Sequence, residues 1–298
     1  MIFLAILIVL LGPLAVWAFF IEPFRYQFRK YHFKIKKPLS KSFRILHLSD
    51  IHFCRVIPQL TRLFDLLSSK TYDFVFITGD IMDHENGIAH TVDCLKKIKS
   101  RFGIYAVFGN HDYLDYAFWD MLLHNFSGQK LPVKPHRDHL LKEALDGIGV
   151  KVLKNETIEL DCDGQAVLIH GLDDPTTGKA NVRMAMQNFY ADKLNLLLTH
   201  TIDAFMDIGE KEIDASFSGH SHGGQICFPW FGPLITHTSI GKTYAGGMNH
   251  LKGAICSVSR GVGTSRNLRL RFLCPPEAVF VTLSGEGQTD EEIEKIVW

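Results

Sequence analysis

The chain has 298 residues, 46% hydrophobic and 21% charged, a balance that excludes an intrinsically disordered polymer and allows a large core in one or two domains. Lys+Arg and Asp+Glu both number 32. With no basic excess, the composition argues against a dedicated nucleic-acid binder, and no nucleic-acid partner is expected. The six cysteines (Cys54, Cys94, Cys162, Cys227, Cys256 and Cys274) contain no C-x-x-C pair, which argues against a disulfide framework or zinc knuckle and for reduced, mostly buried thiols in a cytoplasmic setting.

Met1 to Ile21 is a charge-free apolar run of about the 20 residues a bilayer-spanning helix needs. No Lys or Arg precedes it, so a cleaved signal peptide is the weaker reading and residues 1–22 are expected to form a transmembrane anchor. Arg25, Arg29, Lys30, Lys34, Lys36 and Lys37 follow, with no acid between Pro23 and Ser49. By the positive-inside rule this flank, read as a basic linker over 23–42, stays cytoplasmic and favours anionic lipid head groups. The expectation is a single-pass bacterial inner-membrane protein with its catalytic body in the cytoplasm.

From Arg44 onward a short apolar run recurs, each ending in residues with strong ligand chemistry: RILHLSDIH, DFVFITGD, YAVFGNHD, LNLLLTH and ASFSGHSH. Such runs, rich in Val, Ile, Leu and Phe, read as strands buried on both faces. Helical spacing in LTRLFDLLSS and TVDCLKKIKSRF lies between them, which makes an α/β protein. In such folds ligands gather at the carboxyl ends of strands, where these runs place Asp50 and His52, Asp80, Asn110 with His111 and Asp112, His200, and His220 with His222. Carboxylates, one amide oxygen and several imidazoles suit two divalent ions, Mn²⁺ first and Fe²⁺ or Zn²⁺ as alternatives, better than Ca²⁺ or a thiolate zinc site. Two ions about 4 Å apart share a carboxylate in sites that hydrolyse phosphoesters, and Asp80, standing alone after a glycine, is the natural bridge. The glycines of SGHSHGG leave room beside its two imidazoles for close approach of something small.

The ordered set Asp50-x-His52, Gly79-Asp80, Gly109-Asn110-His111-Asp112, His200 and Gly219-His220-Ser221-His222 resembles that of the calcineurin-like metallophosphoesterases, over Phe43 to Leu283. GHSHGGQ, GLDDP (171–175), SRGVGTS and RFLCPPE are similar to a membrane-anchored bacterial branch that includes YkuE- and YaeI-type phosphodiesterases and the chlamydial-type UDP-2,3-diacylglucosamine pyrophosphatase. The resemblance implies a four-layer αββα sandwich over residues 43–284, with 285–298 as a peripheral tail. It implies that Asp50, His52 and His222 hold one metal, that Asn110, His200 and His220 hold the other, and that Asp80 bridges them. A hydroxide bridging the two ions would be the nucleophile. His111 would then face the scissile phosphate as a catalytic residue, with Asp112 orienting it.

Other residues carry weaker signals. Arg55 could meet a phosphate oxygen but reads as a surface arginine, His84 and His170 read as structural histidines, and His47 reads as core. Tyr113 to Leu141 reads as a helix followed by a polar, basic excursion over the site. CFPWFGPL (227–234) is an aromatic, proline-rich patch that would meet acyl chains or the membrane surface, or else form a buried rim. The favoured substrate is UDP-2,3-diacylglucosamine, cleaved to UMP and 2,3-diacylglucosamine 1-phosphate in lipid A synthesis. The alternatives are a broad-specificity phosphodiesterase or phosphatase acting on another envelope lipid or a nucleotide, and a non-catalytic scaffold.

Overall fold

The computed structural model describes residues 11–116, 134–209 and 212–288. In chain order its principal strands are β1 (Gln27–Pro38), β2 (Phe43–Leu48), β3 (Phe74–Thr78), β4 (Ile104–Val107), β5 (Val150–Val152), β6 (Glu156–Cys162), β7 (Gln165–Gly171), β8 (Leu194–Leu198), β9 (Ala215–Ser218), β10 (Gly247–Leu251), β11 (Ala254–Val258) and β12 (Glu277–Glu286). They form two six-stranded sheets, ordered β1-β12-β2-β3-β4-β5 and β6-β7-β8-β9-β11-β10. Strands β2 to β5 run parallel, as do β7, β8, β9 and β11, while β12 pairs antiparallel with β2 and parallel with β1. Parallel strands need both faces covered, and β3, β8, β9 and β11 are buried along their whole length.

Three apolar layers hold the sandwich together. Between the sheets, Phe33, Phe43, Phe74 and Phe76 face Leu196, Phe217 and Ile255, with the rings of Phe76 and Phe217 4.9 Å apart. Outside the first sheet, α1 (Pro58–Leu67), α2 (Ile88–Leu95) and, after the short α3 (Asn110–Tyr113), α4 (Asp138–Asp146) pack on Leu46, Val75, Ile77 and Ala106. Helix α1 does so through Leu60, Leu63, Phe64 and Leu67, one face at helical spacing. Outside the second sheet the cover is thinner: α5 (Val182–Ala185) and the 3₁₀ turns of Ile202–Ile208 close over Leu197, Cys256 and Val258. The result is the expected mixed α/β sandwich.

The structure departs from the sequence reading in five places. The basic stretch read as a linker is, over Gln27–Pro38, the edge strand β1, paired with β12 from Gln27↔Glu277 onward. Its alternate residues point opposite ways, burying Phe33 and Ile35 between the sheets while Lys30, Lys34 and Lys36 face out and guard the edge, and Lys37, on the inner side, pairs with Asp214 at 2.9 Å. The helix read in TVDCLKKIKSRF stops at Leu95, and Lys99–Ser100 turns into a two-residue parallel pairing with Thr71–Tyr72. In the 113–141 excursion, residues 117–133 lie outside the described residues. Leu114–Asp115 pairs with Lys134–Pro135, and Leu141 is buried in α4. Of the expected anchor, residues 1–10 lie outside the described residues, 11–16 are helical, and Trp17–Ile21 forms a π turn followed by a 3₁₀ turn at Glu22–Phe24. No helix among the described residues is long and apolar enough to cross a membrane. The expected tail begins inside β12, and residues 289–298 lie outside the described residues.

All six cysteines are free, with Cys94, Cys162, Cys256 and Cys274 buried.

Candidate metal centre

The parallel halves of both sheets point their carboxyl ends at one place. Past β2, the amides of Asp50 and His52 continue the ladder by donating to the carbonyls of Gly79 and Asp80 at 3.0 and 2.9 Å. Past β9, the Gly219 amide donates to the His200 carbonyl at 2.9 Å. The Val262 and Gly263 amides after β11 reach back to the Ser49 and Asp50 carbonyls at 2.9 and 2.7 Å, which ties the two sheets together at the site. Asp50, His52, Asp80, His220 and His222 all adopt positive φ, between 50° and 69°. A side-chain-bearing residue in that region costs roughly 1–3 kcal/mol and persists only where the surroundings impose it. Five such residues converging on one point mark a backbone bent to aim ligands.

The side chains meet in two groups that share Asp80. Asp50, His52, Asp80 and His222 form one and Asp80, His200 and His220 the other, with the ligand atoms of each within 4.8 Å of one another. Asp80 Oδ1 accepts from the His111 amide at 2.8 Å, which turns Oδ2 toward His52 Nε2 at 3.7 Å and His200 Nε2 at 3.4 Å. His52 Nε2 faces His222 Nε2 at 3.2 Å, and His220 Nδ1 faces His200 Nε2 at 3.1 Å. His200 donates from Nδ1 to the Thr78 carbonyl at 2.8 Å, which orients the ring with Nε2 toward the cluster. Asn110 stands at the start of α3, and its side-chain oxygen is buried without a hydrogen-bond partner. Opposed imidazole nitrogens, a shared carboxylate and an orphaned amide oxygen are what a cluster built around cations presents, and this donor set fits two divalent ions.

Electrostatics agree. Burial, reinforced by the positive charge of His200, lowers His220 to about 3, and burial with the charge of His52 takes His222 well below its ordinary 6.5. Both are therefore neutral lone-pair donors near pH 7. Burial also opposes charge on His200 and on Asp80, yet each holds the other ionised: Asp80 lifts His200 well above 6.5, and His200 with His111 holds Asp80 well below 3.8, so a cation bound beside Asp80 would take the place of the His200 Nε2 proton.

His111 lies at the edge of the cluster, where it donates from Nδ1 to Asp83 Oδ1 at 2.6 Å. That bond fixes the tautomer and leaves Nε2 as the ring atom available to a substrate oxygen. Asp112, expected to orient His111, is placed elsewhere. Its carboxylate accepts from the amides of Ile81, Met82 and Gly109, each at 2.9 Å, and so clamps the Asp80 loop to the Asn110 turn. The difference has a geometric cause: a side chain one residue after His111 in a helical turn points about 100° away from it. Asp83 is in turn held by Ser265 Oγ at 3.3 Å and by the Arg266 amide. The signal for it was an acid three residues past Asp80. The Tyr116 ring covers His111 with centroids 4.7 Å apart.

Other parts of the site gave little signal. Arg271 is fully buried and donates to the carbonyls of Arg260, Gly263 and Cys274 at 2.8, 2.7 and 3.1 Å, knitting the wall behind His222. The glycines of SGHSHGG make room for protein, not for a small ligand: a Cβ at Gly219 would lie 1.8 Å from Ser49 Oγ and 2.3 Å from Asp50 Oδ2. His47 is buried between Ser257 and Thr78 hydroxyls, each at 2.9 Å, and His170 bonds Thr157 and Asn195 at 2.7 and 3.0 Å. His84 caps a 3₁₀ turn by accepting from the Asn86 amide, and Arg55 is exposed.

Residues 43–224 match the calcineurin-like phosphoesterase family. Among curated relatives, the metallophosphoesterase YkoQ of Bacillus subtilis is 30% identical over 82% of this chain and 84% of its own length. Phosphodiesterase YaeI of Escherichia coli is 26% identical over 88% and 90% of the two chains. UDP-2,3-diacylglucosamine pyrophosphatase LpxG of Chlamydia muridarum is 25% identical over 88% and 90%. With the match covering most of the chain and the ligand cluster at its centre, the protein belongs to the calcineurin-like phosphoesterase family and is a metal-dependent phosphoester hydrolase.

Proposed function

We propose that the chain is a membrane-anchored phosphoesterase with two divalent ions, Mn²⁺ foremost, that hydrolyses a phosphodiester or pyrophosphate bond in a lipid-linked substrate at the cytoplasmic face of the bacterial inner membrane. The favoured substrate is UDP-2,3-diacylglucosamine, cleaved to UMP and 2,3-diacylglucosamine 1-phosphate. The observation that carries the dinuclear reading is Asp80, whose one carboxylate is common to both ligand groups. Asp50, His52 and His222 would hold one ion and Asn110, His200 and His220 the other. When bound, such ions polarise phosphoryl oxygens and lower the pKa of water. His111, oriented by Asp83, presents Nε2 to the phosphoryl group and, in its protonated imidazolium form, can donate a hydrogen bond or a proton to the leaving oxygen. The substrate reading is supported by the likeness to LpxG, and the membrane reading by the apolar run of residues 1–21 and the basic flank that follows it.

The test is UMP release from UDP-2,3-diacylglucosamine by the detergent-solubilised full chain with Mn²⁺, run beside Asp80→Asn and a soluble aryl phosphodiester. Release by the natural chain, with a loss of roughly 10³-fold in Asp80→Asn, is expected, because the ions contribute several kcal/mol to the transition state. Cleavage of the aryl diester without UMP release would overturn the substrate and point to a phosphodiesterase acting on another envelope lipid.

A further inference from the structure

The hairpin that follows the second metal-binding histidine ends in an aromatic tip that the fold does not use. Cys227–Phe228 pairs with Gly232–Pro233, and between them Trp230 and Phe231 are 99% and 82% exposed. Trp230 also adopts φ 67°, a conformation costly for a bulky residue, and none of that cost is repaid by burying its ring. Leu234 and Ile235 beside the tip are each 58% exposed. A contiguous apolar surface of this kind on a folded protein marks an interaction site.

The hairpin is rigidly tied to two things. One is the metal cluster: it begins five residues after His222, and Gly224 lies so close to Pro233 that a Cβ there would approach within 2.4 Å. The other is the amino-terminal helix. The Cys227 amide donates to the Phe272 carbonyl at 2.9 Å, the Arg271 amide to the Ala18 carbonyl at 3.0 Å, and the amides of Leu273 and Cys274 to the buried Glu22 carboxylate at 2.9 and 2.6 Å. That helix exposes Leu11, Leu14, Val16 and Phe20 and leads back into the apolar run of residues 1–10. Around the junction the charges are basic: Arg25 lies over the Trp17 ring and Arg269 over Phe24, while residues 225–236 and 265–276 contain no acid.

We propose that this face docks on a lipid bilayer, with the Cys227–Leu234 hairpin sinking Trp230 and Phe231 into the head-group and upper acyl region so that the metal cluster sits at the membrane surface. Apolar side chains enter the interface, Trp prefers that depth, and the flanking arginines meet anionic head groups. The consequence for catalysis, direct delivery of a membrane-resident substrate to the ions, rests on the function proposed above. Insertion itself does not.

The test uses the full chain on vesicles of phosphatidylethanolamine and phosphatidylglycerol. The difference in tryptophan emission between the natural chain and Trp230→Phe isolates Trp230. It is expected to be blue-shifted and quenched by lipids brominated high on the acyl chain. A difference spectrum like that of an indole in water, with no quenching, overturns the proposal whatever the substrate. In the second arm, the Trp230→Ser, Phe231→Ser double variant is expected to lose at least about tenfold in UMP release from vesicle-borne UDP-2,3-diacylglucosamine and nothing on a soluble aryl phosphodiester. Equal losses on both substrates would show a structural role and overturn it. If the natural chain cleaves only the aryl diester, the substrate reading fails and the fluorescence still decides insertion.

Discussion

Asp83 and Asp112 are both buried aspartates within reach of the His111 turn, and the structure gives them different work. Asp83 holds the His111 ring, whereas Asp112 holds three backbone amides. Asp83→Asn is therefore expected to lower kcat about 10²-fold while metal content and folding stay intact, since a carboxylate behind a catalytic imidazole sets its tautomer and basicity. Asp112→Asn is expected to do the reverse, costing about 1–3 kcal/mol of stability through unsatisfied amides with kcat largely kept. Paired kinetics, metal analysis and urea unfolding would separate them, and a collapse of kcat in Asp112→Asn alone would exchange their roles. His47 offers a pH test away from the ligands. Burial lowers it from 6.5 to about 3, so the fold favours its neutral form. Its contribution is complete above pH 6.5 and is lost as pH falls toward 3, as the unfolded chain takes up a proton that the native state refuses. At pH 5 the loss is about 2 kcal/mol relative to pH 7. His47→Gln should flatten that acid limb in urea unfolding of the metal-loaded protein, and an unchanged limb would dissociate His47 from it.

At the scale of elements, the parallel strands were the most legible. RILHL, FVFIT and LNLLL are continuous apolar runs because both faces of a parallel sheet are covered, and each becomes a strand ending where its ligand begins. Strand β1 was hidden for the complementary reason. An edge strand with one wet face alternates, and in QFRKYHFKIKKP four lysines and Arg29 outweigh Phe33 and Ile35 when charge is counted instead of period. Phe33 is fully buried between the sheets, so Phe33→Ala is expected to destabilise the protein by about 3–5 kcal/mol in urea unfolding. A loss under 1 kcal/mol would return this segment to the status of a linker. The 227–234 hairpin shows the limit of composition. An aromatic, proline-rich stretch reads equally as buried rim or exposed tip, and only the pairing of Phe228 with Gly232 turns Trp230 outward.

At the scale of the molecule, two carboxylates and four imidazoles from four strand ends lie within one small volume, and cations would hold them together. Chelation is expected to abolish hydrolysis and to lower the stability of the fold by about 3 kcal/mol relative to protein at a hundredfold excess of free Mn²⁺ over its dissociation constant, with both restored on adding it back. Calorimetry with and without chelator checks this, and an unchanged transition would mean that the site is preformed without help from ions. The sequence by itself determined five of the buried strands, the ligand types that end them and the chemistry those ligands allow, because each of these depends on neighbours in the chain. Only the tertiary structure decided which carboxylate orients His111, that Arg271 and the 260–263 turn wall the site, and that the basic segment belongs to the first sheet. Those facts depend on contacts such as Asp83 with Arg266, 183 residues apart, and on the direction in which a side chain leaves its turn, neither of which a linear pattern records.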